Sequence, residues 1–402
     1  MSRPSRIVLY SHDTMGLGHM RRNLLLAQAL ASSRDRPAIL MIFGAGESQA
    51  WTLPPGTESL SLPAVKKGAN GYASRALDIS LETVIAIRRR IITAAIETFN
   101  PDLVVVDKVP GGLEGELRPA IRWLRRRSTA RLVLGLRDVL DEPTQVRTEW
   151  IRDGSYELVA TSYDAVWVYG DPALADPVRE YGFGPEITRK LHYTGFLDPR
   201  LRLDRAAAPA PPESPIALCL LGGGQDGANL AHAFSDARLP VGTTGLIVAG
   251  PHLPLSDYHT LVARSRLRPD LEVRRFDPSP DALLARATHV VSMGGYNTVM
   301  EVIAHGRHAL IVPRVMPRTE QLIRAERLAA RGLIEVLHPD RLSSEALTAW
   351  LSATPRSHGP IADTLDFSGL GRVNLLARAL LSKPAPRRAP VSRLPLYAAA
   401  AS

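Results

Sequence analysis

The chain has 402 residues, 45% hydrophobic and 5% aromatic, which is too long for one ordinary α/β core, so we expect two domains. Its net charge of +9, from 49 Lys and Arg against 40 Asp and Glu, permits anionic partners. Nucleic acid is not expected among them, because the arginine clusters, apart from Trp123, lack the interleaved aromatic side chains of a base-stacking surface.

The longest apolar stretches, such as "PIALCLLGG" and "HALIVP", have the length of strands and are too short to span a membrane. Residues 1–10 lack the apolar region and cleavage site of a secretory signal, and the single cysteine, Cys219, lies within an apolar strand. We therefore expect a cytoplasmic protein without disulfide bonds.

The first half of the chain alternates apolar strands with helices. In chain order the predicted elements are "RIVLYS", a helix over 19–32, "PAILMIFG", a helix over 77–99, "DLVVVDK", a helix over 114–127, "RLVLGLRD", a helix near 145–160 and "AVWVYG". The strands are apolar almost without interruption, which predicts a parallel sheet covered by helices on both faces.

The second half repeats this pattern. Its predicted elements are "PIALCLLGGG", a helix over 228–237, "TGLIVAG", a helix over 256–265, "LEVRRF", a helix over 279–287, "HVVSMGG", a helix over 297–305, "HALIVP", a helix over 319–331, "LIEVL", a helix over 343–353 and a last helix near 367–382. We expect an α/β protein with two doubly wound domains, 1–198 and 215–383, facing a cleft. A Pro- and Ala-rich linker over 199–214 joins them, and the tail 384–402 is expected to be disordered.

Ligands of such sheets bind beyond the carboxyl ends of the strands, so residues that follow each strand are candidate site residues. The first such stretch, "SHDTMGLGHMRRN", has Arg21 where a dinucleotide fingerprint has its third glycine, and it lacks the Gly-Lys-Ser/Thr of a Walker loop. It is a tight turn at Gly16 and Gly18 with His19 on the first turn of a helix. The alternative is a βα turn in which the histidine is incidental.

Three strand ends in the second half indicate a nucleotide-sugar site. Glycines 222–224 separate a strand from a helix, where backbone amides could close around a diphosphate. Glycines 294–295 end another strand, and Glu301 in the next helix could accept both hydroxyls of a ribose. Glu320 and Gln321 begin a further helix and could bind sugar hydroxyls.

The segments "GGGQDGAN", "SMGGYNTVMEVIAHGRHALIVP" and "RTEQLIRAERLAARG", with Phe276, resemble the nucleotide-sugar half of MurG-like glycosyltransferases. These are GT-B enzymes, which have two Rossmann-like domains, and they include MurG and the monogalactosyldiacylglycerol synthases. "MGLGHMRRNLLLAQAL" looks like their amino-terminal loop and helix. The chain is most similar to a bacterial group of predicted glycosyltransferases of about this length.

The resemblance implies a role for each matching residue. Gly223, Gly224 and Gln225 would surround the donor diphosphate, Phe276 would lie beside uracil, Glu301 would bind the ribose, and Gly294, Gly295 and Thr298 would complete the donor site. Tyr296 by its backbone, Glu320 and Gln321 would meet the donor sugar, and Gly16, Gly18 and His19 would face the acceptor and the reaction centre. Gly224 replaces a common serine, and Glu320 precedes Gln321 where two glutamines are common, so the donor sugar stays open.

The expected activity is inverting hexosyl transfer from a UDP-sugar to an acceptor hydroxyl, lipid-linked or glycan, in bacterial envelope or exopolysaccharide synthesis. His19 or Asp13 would act as the base. No D-x-D motif occurs, so we expect neither a metal nor another cofactor, and we interpret the histidines of "HGRH" (305–308) as structural. Four residues at strand ends of the first domain are expected to shape the acceptor pocket, or else to form salt bridges in the cleft: Asp107, Lys108, Arg137 and Asp138.

Two other classes stay open: a non-hydrolysing UDP-sugar 2-epimerase, and a non-catalytic protein that binds a nucleotide sugar.

The arginine clusters at 88–90 and 118–131 are either solvated helix faces or a contact with an anionic membrane surface. In the membrane interpretation the enzyme is peripheral, and Ile121, Trp123 and Leu124 insert into the interface. In the alternative they form the buried side of an ordinary helix.

Overall fold

The structure is a computed structural model that describes residues 3–12, 18–33, 35–44, 52–68, 71–201, 212–277, 280–355 and 365–384. Of the residues predicted to form the site, Asp13 and Gly16 lie outside the described residues. Most of the predicted linker and nearly all of the predicted tail lie outside them as well.

The first domain is built on a parallel sheet of seven strands. Its elements in chain order are β1 (Arg6–Ser11), α1 (Gly18–Ala31), β2 (Ala38–Phe43), β3 (Thr57–Ser61), β4 (Val65–Gly68), β5 (Gly71–Ser74), α2 (Leu81–Phe99), β6 (Leu103–Asp107), α3 (Arg118–Arg127), β7 (Arg131–Arg137), α4 (Pro143–Arg152), α5 (Ser155–Ser162), β8 (Ala165–Tyr169), α6 (Pro177–Tyr181), α7 (Pro185–Thr188) and β9 (Leu191–Tyr193). The strand order is β3-β2-β1-β6-β7-β8-β9, with β4 and β5 forming a separate antiparallel hairpin.

The second domain follows the same plan with six parallel strands. Its elements are β10 (Ile216–Leu220), α8 (Ala228–Asp236), β11 (Thr244–Val248), α9 (Leu255–Leu267), β12 (Leu271–Arg274), α10 (Asp281–Arg286), β13 (Ala287–Ser292), α11 (Tyr296–Ala304), β14 (Ala309–Ile311), α12 (Glu320–Ala329), β15 (Glu335–Val336), α13 (Ser344–Leu351) and α14 (Gly369–Ser382). The strand order is β12-β11-β10-β13-β14-β15. In both sheets the chain starts in the middle, winds to one edge and then to the other, which confirms the predicted doubly wound domains.

Both faces of each sheet are buried, as the uninterrupted apolar strands predict. In β1, Ile7 and Leu9 pack into one core while Val8 and Tyr10 pack into another on the opposite face. The first of these cores continues into the second domain through residues such as Leu218 of β10. Side chains that alternate across a strand therefore build both the interior of each domain and the contact between the domains.

The structure adds α6, α7 and β9, which were not predicted, and it differs from the predicted elements in three further places. Gly154, with φ 61°, divides the helix predicted near 145–160 into α4 and α5. The edge strand β3 and the hairpin β4–β5 carry too few apolar residues to be recognised from their pattern. Helix α14, which the sequence placed in the second domain, packs against α1 of the first, where Asn374 Nδ2 donates to the Ala29 carbonyl over 2.9 Å.

The arginine cluster at 88–90 is only partly available to a surface partner. Arg88 is fully buried, and its guanidinium binds Glu116, with Nε 2.5 Å from Oε2, while Tyr10 donates to the same carboxylate. The prediction that all three arginines form a solvated or membrane-facing surface is therefore wrong for Arg88, because its charge is neutralised in the interior.

Of the two alternatives for α3, insertion of its apolar side chains into a membrane interface is excluded. Ile121 and Leu124 lie in the core of the first domain with at most 2% of their surface exposed, and Trp123 packs against that core. The alternative, the buried side of an ordinary helix, is confirmed. Arginines that remain exposed in the two clusters are Arg89, Arg90, Arg122, Arg126 and Arg127. No helix in the described residues is long and apolar enough to cross a membrane.

Helix α12 of the second domain docks on the first domain. Its Arg324 is fully buried and binds the equally buried Asp138 through two nitrogens, with Nη2 2.7 Å from Oδ1. Further along the helix Arg327 pairs with Glu180 at 2.9 Å. Asp138, predicted in the acceptor pocket, thus takes the alternative role of a salt bridge across the cleft, and this pair fixes the distance between the domains.

We predict that Arg324→Met will lower the free energy of unfolding by about 3–5 kcal/mol, because it leaves the buried Asp138 carboxylate without its partner. Adding Asp138→Asn to that variant should restore part of the loss. Chemical denaturation measures both effects.

The matched control is Arg152→Met, which removes an arginine from an exposed ion pair with Asp153 and should leave stability unchanged. Equal stability of Arg324→Met and this control would show that the Asp138–Arg324 pair does not hold the domains together.

Candidate active site

The cleft contains a cavity of about 270 Å³ where the two sheets change winding direction. The strands at these switch points are β1 and β6 in the first sheet and β10 and β13 in the second, and their carboxyl ends point into the cleft. The structure places thirteen predicted residues on the cavity wall: Gly18, His19, Lys108, Arg137, Gly223, Gly224, Gln225, Phe276, Gly295, Tyr296, Thr298, Glu320 and Gln321. Four others lie behind the wall: Asp107, Asp138, Gly294 and Glu301.

On the first domain, His19 is held by Asp107 at the end of β6. The His19 Nδ1 atom is in contact with Asp107 Oδ2, and Arg22, one turn further along α1, binds both oxygens of the same carboxylate at 2.9 and 2.6 Å. His19 and Arg22 reach one carboxylate because residues three apart lie on the same face of a helix. Asp107 therefore lies behind the histidine instead of lining an acceptor pocket.

The close contact between His19 and Asp107 defines the tautomer of the imidazole. A proton must lie between Nδ1 and the carboxylate oxygen, because two acceptor lone pairs in such close contact would repel each other. Nδ1 therefore donates to Asp107, and the other ring nitrogen, Nε2, keeps its lone pair. Arg22 Nη2 also lies 2.9 Å from His19 Nδ1. Because Nδ1 already carries a proton, Arg22 cannot donate to it, and its guanidinium acts on the His19–Asp107 pair only through its charge.

Burial and the nearby cations keep this histidine neutral. Burial lowers the pKa of His19 to about 4, against the opposing effect of Asp107. Arg22 and the histidine hold the pKa of Asp107 below its usual range although burial acts in the other direction. At neutral pH the pair is therefore an imidazole and a carboxylate, which is the state a general base requires.

On the second domain, the loop after β10 requires glycine. Gly222 has φ 62° and Gly224 has φ 87°, both in the left-handed region. A Cβ atom on Gly224 would lie 2.4 Å from the Ala249 carbonyl oxygen, so no side chain fits there. The loop brings backbone against the cavity, as expected for a phosphate-binding turn.

The second glycine pair has two different roles. Gly295 is the N-cap of α11 and lines the cavity. Gly294 lies against the start of α12, since a Cβ there would be 2.9 Å from the Cβ of Gln321. Tyr296 points its side chain towards the first domain and donates from its hydroxyl to the Tyr169 carbonyl over 2.9 Å. Its hydroxyl is therefore occupied, and the contact of its backbone with a donor sugar stays a prediction.

Glu301 is buried, and an arginine of the first domain neutralises it. Its Oε1 is 2.9 Å from Nη2 of Arg21, and the two side chains are 1% and 12% exposed. Arg21 lines the cavity in front of it. A ribose contact of Glu301, as predicted, would therefore require the carboxylate to exchange this ion pair for the two hydroxyls.

Glu320 and Gln321 line the cavity at the start of α12 and are bound by Arg314. Arg314 Nη2 is 2.6 Å from Glu320 Oε1, and its amide donates to Gln321 Oε1 over 3.0 Å. The other carboxylate oxygen of Glu320, Oε2, is buried without a hydrogen-bond partner. That oxygen is a ready acceptor for a ligand hydroxyl.

Sequence analysis missed several residues of the cavity wall. His12 directly follows β1, is 6% exposed, and has an Nδ1 atom that is buried without a partner. Its ring centre is 4.9 Å from that of His19. Its position immediately after an apolar strand could have identified it as a candidate site residue. Arg314, Arg318 and Asn297 carried no comparable signal, because their contacts depend on how the two domains meet.

Both histidines of "HGRH" contact other groups of the protein, and the structural role expected for them stays a prediction. His305 Nδ1 bonds the Glu301 carbonyl, and His308 Nε2 is 2.9 Å from Glu335 Oε1.

Two parallel, doubly wound domains with a cleft at their switch points define the GT-B class. Residues 220–355 match the model of the glycosyltransferase family 28 C-terminal domain. MurG from Acinetobacter baumannii is similar over 92% of this chain and 95% of its own, with 13% identity and a TM-score of 0.51. The resemblance to MurG-like GT-B glycosyltransferases is thereby confirmed, and the family match supports a glycosyltransferase.

Two further solved structures share the fold. A putative UDP-N-acetylglucosamine 2-epimerase from Listeria monocytogenes is 11% identical over 95% of this chain and 97% of its own, with a TM-score of 0.62. The glycosyltransferase VinC in complex with dTDP is 17% identical over 94% of this chain and 96% of its own, with a TM-score of 0.52. No curated protein matches the chain.

We predict that two glycine variants will separate folding from ligand binding. Gly224→Ala should lower both thermal stability and nucleotide affinity, because its Cβ collides with backbone. Gly295 has φ −63°, and a Cβ atom added there would have nothing within 4 Å, so Gly295→Ala should keep the fold. Its affinity for UDP should nevertheless fall by about tenfold, because the added methyl group would hinder the approach of the ligand to the amides at the start of α11 and so weaken about one hydrogen bond. Calorimetric titration with UDP, next to a thermal melt, measures both; unchanged UDP affinity of Gly295→Ala would mean that the nucleotide does not approach α11.

Proposed function

We propose that this protein is an inverting glycosyltransferase that moves a hexose from a UDP-sugar to an acceptor hydroxyl, carried by a glycan or a lipid-linked molecule. The observation that carries the proposal is the neutral His19, oriented by Asp107, across one cavity from the glycine loop at 222–224. A base and a diphosphate cradle on opposite walls are the two parts that displacement at an anomeric carbon needs.

In the proposed reaction, His19 Nε2 takes the proton of the acceptor hydroxyl as its oxygen bonds to the anomeric carbon. The bond between that carbon and the diphosphate oxygen breaks, and its electron pair leaves with UDP. Asp107 stabilises the imidazolium that forms, since it already accepts from Nδ1. Attack from the side opposite the leaving group inverts the anomeric configuration.

The charge of the cavity supports an anionic donor. Six cationic side chains line it, Arg21, Arg22, Lys108, Arg137, Arg314 and Arg318, against two carboxylates, Asp226 and Glu320. The dTDP bound to VinC is a nucleoside diphosphate in a protein of the same fold. Loop amides, the N-terminus of α11 and these cations would stabilise the diphosphate as it leaves, without a metal ion.

The similarity to a putative UDP-N-acetylglucosamine 2-epimerase supports a second candidate function on the same nucleotide-sugar site. The two reactions differ in their products. Incubating the protein with UDP-N-acetylglucosamine in the absence of any acceptor and analysing the sugar nucleotide decides between them, because only an epimerase would form the C2 epimer of the UDP-sugar.

We predict that His19→Ala will reduce turnover by about two to four orders of magnitude while donor affinity changes little. Asp107→Asn should also reduce turnover strongly, because the amide cannot hold the imidazole in the reactive tautomer. In the unaltered enzyme, activity should be lost only as pH falls through about 4, since the imidazole is neutral above its lowered pKa.

Initial rates of UDP release between pH 4 and pH 8 test this prediction. Near-normal turnover of His19→Ala would transfer the role of base to Asp13, and an acidic limb near the ordinary histidine pKa of about 6.5 would show that His19 is exposed during catalysis.

A separate prediction concerns the ribose. If Glu301 exchanges Arg21 for the ribose hydroxyls, Glu301→Gln should weaken UDP binding by about tenfold or more. The loss should be smaller for 2′-deoxy-UDP, which lacks one of the two hydroxyls. Equal losses for both nucleotides, measured by calorimetry, would leave Glu301 as a partner of Arg21 alone.

A further inference from the structure

Two cations in the cavity differ from the rest because the described residues give them no ion-pair partner. They are Lys108, directly after β6, and Arg137, at the end of the adjacent strand β7. The other four are neutralised by nearby carboxylates: Arg21 by Glu301, Arg22 by Asp107, Arg314 by Asp226 and Glu320, and Arg318 by Asp141 and Glu149. Lys108 and Arg137 are therefore the positive charges that a substrate must balance.

The backbone of Lys108 is in an unfavourable conformation. Its φ of 65° lies in the left-handed region, and its amide is fixed by a hydrogen bond of 2.8 Å to the Gly135 carbonyl. A residue with a Cβ costs about 1–2 kcal/mol in this conformation, and glycine would avoid that cost. Lys108 therefore occupies this cavity position at a cost to stability.

Arg137 is incompletely satisfied. Its Nε atom is buried and has no hydrogen-bond partner. A desolvated guanidinium nitrogen is costly unless an acceptor binds it. Burial, together with the charge of Arg324, lowers the pKa of Arg137 to about 10, and burial together with Arg137 lowers that of Lys108 to about 7. An anion placed between the two would relieve both effects.

We propose that Lys108 and Arg137 bind a second acidic group, a carboxylate or phosphate, that belongs to the acceptor or to the transferred sugar and is separate from the donor diphosphate. This inference rests on the proposed function. The diphosphate cradle at 222–224 belongs to the second domain, and Lys108 and Arg137 project from strand ends of the first. The substrate would then be an acidic sugar or an acceptor with an acidic group close to its reactive hydroxyl.

The other charged groups around this subsite permit such a ligand. Glu320 and Asp107 face Lys108 with negative charge, and Arg318 and Arg137 face it with positive charge. Asp107 is bound by Arg22, and Glu320, which forms its ion pair with Arg314, also interacts electrostatically with Arg137 and Lys108. One shared carboxylate offsets only part of these two charges, so a net positive charge is left for a ligand. Lys108 loses its proton as pH rises through about 7, so affinity for the acidic group should fall across that range.

The test is calorimetry on the full chain with UDP, UDP-glucose and UDP-glucuronic acid, followed by titration of the UDP-saturated protein with inorganic phosphate and with glucuronate. The variants are Lys108→Met, which removes the charge, and Lys108→Gly, which also relieves the backbone and so should be at least as stable as the unaltered protein. Glu114→Gly is the matched control, because Glu114 has φ 48° and lies outside the cavity wall.

If the transferred sugar carries the acid, UDP-glucuronic acid should bind at least about tenfold more tightly than UDP-glucose. Both Lys108 variants should bind the two sugar nucleotides equally well. If the acceptor carries it, phosphate or glucuronate should bind the UDP-saturated protein, and the Lys108 variants should abolish that binding. In either case the binding of the acidic group should weaken as pH rises from 6 to 8. The control Glu114→Gly should bind these ligands as the unaltered protein does.

Two results would overturn the inference. One is a loss of affinity for UDP itself in the Lys108 variants, which would assign the lysine to the donor diphosphate. The other is normal UDP binding with no response to any acidic group. Failure of the unaltered protein to bind UDP is a different result, because it would contradict the proposed function and not the second anion subsite alone.

Discussion

The buried ion pair between Asp138 and Arg324 is the constraint on which the cavity depends. Both side chains are excluded from solvent, and they come from different domains. Two charges taken out of water are favourable only when their geometry is good, so the pair permits very little relative movement of α12 and the end of β7. Since α12 carries Glu320 and Gln321 and β7 carries Arg137, this pair sets the distance across the cavity.

The same pair is connected to the candidate base through an aromatic ring. Two guanidinium groups lie near the ring of Tyr296, with the Arg324 carbon 5.4 Å and the Arg22 carbon 5.6 Å from its ring centre. Arg22 in turn holds Asp107, which orients His19. The position of the imidazole therefore depends on how the second domain is docked, and an open arrangement of the domains would remove the Tyr296 ring from Arg22.

The sequence was sufficient to predict the strand ends that form the site. Apolar strands followed by glycine or charged residues are local patterns, and a doubly wound sheet necessarily gathers their carboxyl ends. This explains why Gly224, Lys108 and Glu320 were identified and share one cavity. The residues were found by position, without knowledge of their partners.

The partners of those residues could not be predicted, because they come from distant parts of the chain. Asp107 ends β6 and Asp138 follows β7, and both carry the same side chain, yet one binds the candidate base and the other binds a helix of the second domain. Arg88 belonged to a run of three arginines, and its position in α2 directs it into the interior, towards Glu116. Which side of an element faces a partner is a property of the packed molecule, and local composition does not contain it.

Helix α1 links the two halves of the proposed reaction. Successive residues of a helix are about 100° apart, so Arg22 faces Asp107 while Arg21 faces Glu301 of the second domain. A ribose that took over Glu301 would release the Arg21 guanidinium at the cavity wall, three residues from Gly18 at the start of α1. The freed cation would then be available to the diphosphate. Binding of the nucleotide would thus replace the Arg21–Glu301 ion pair between the domains with an ion pair between Arg21 and the donor diphosphate. The substrate would then supply the negative charge that the cavity lacks.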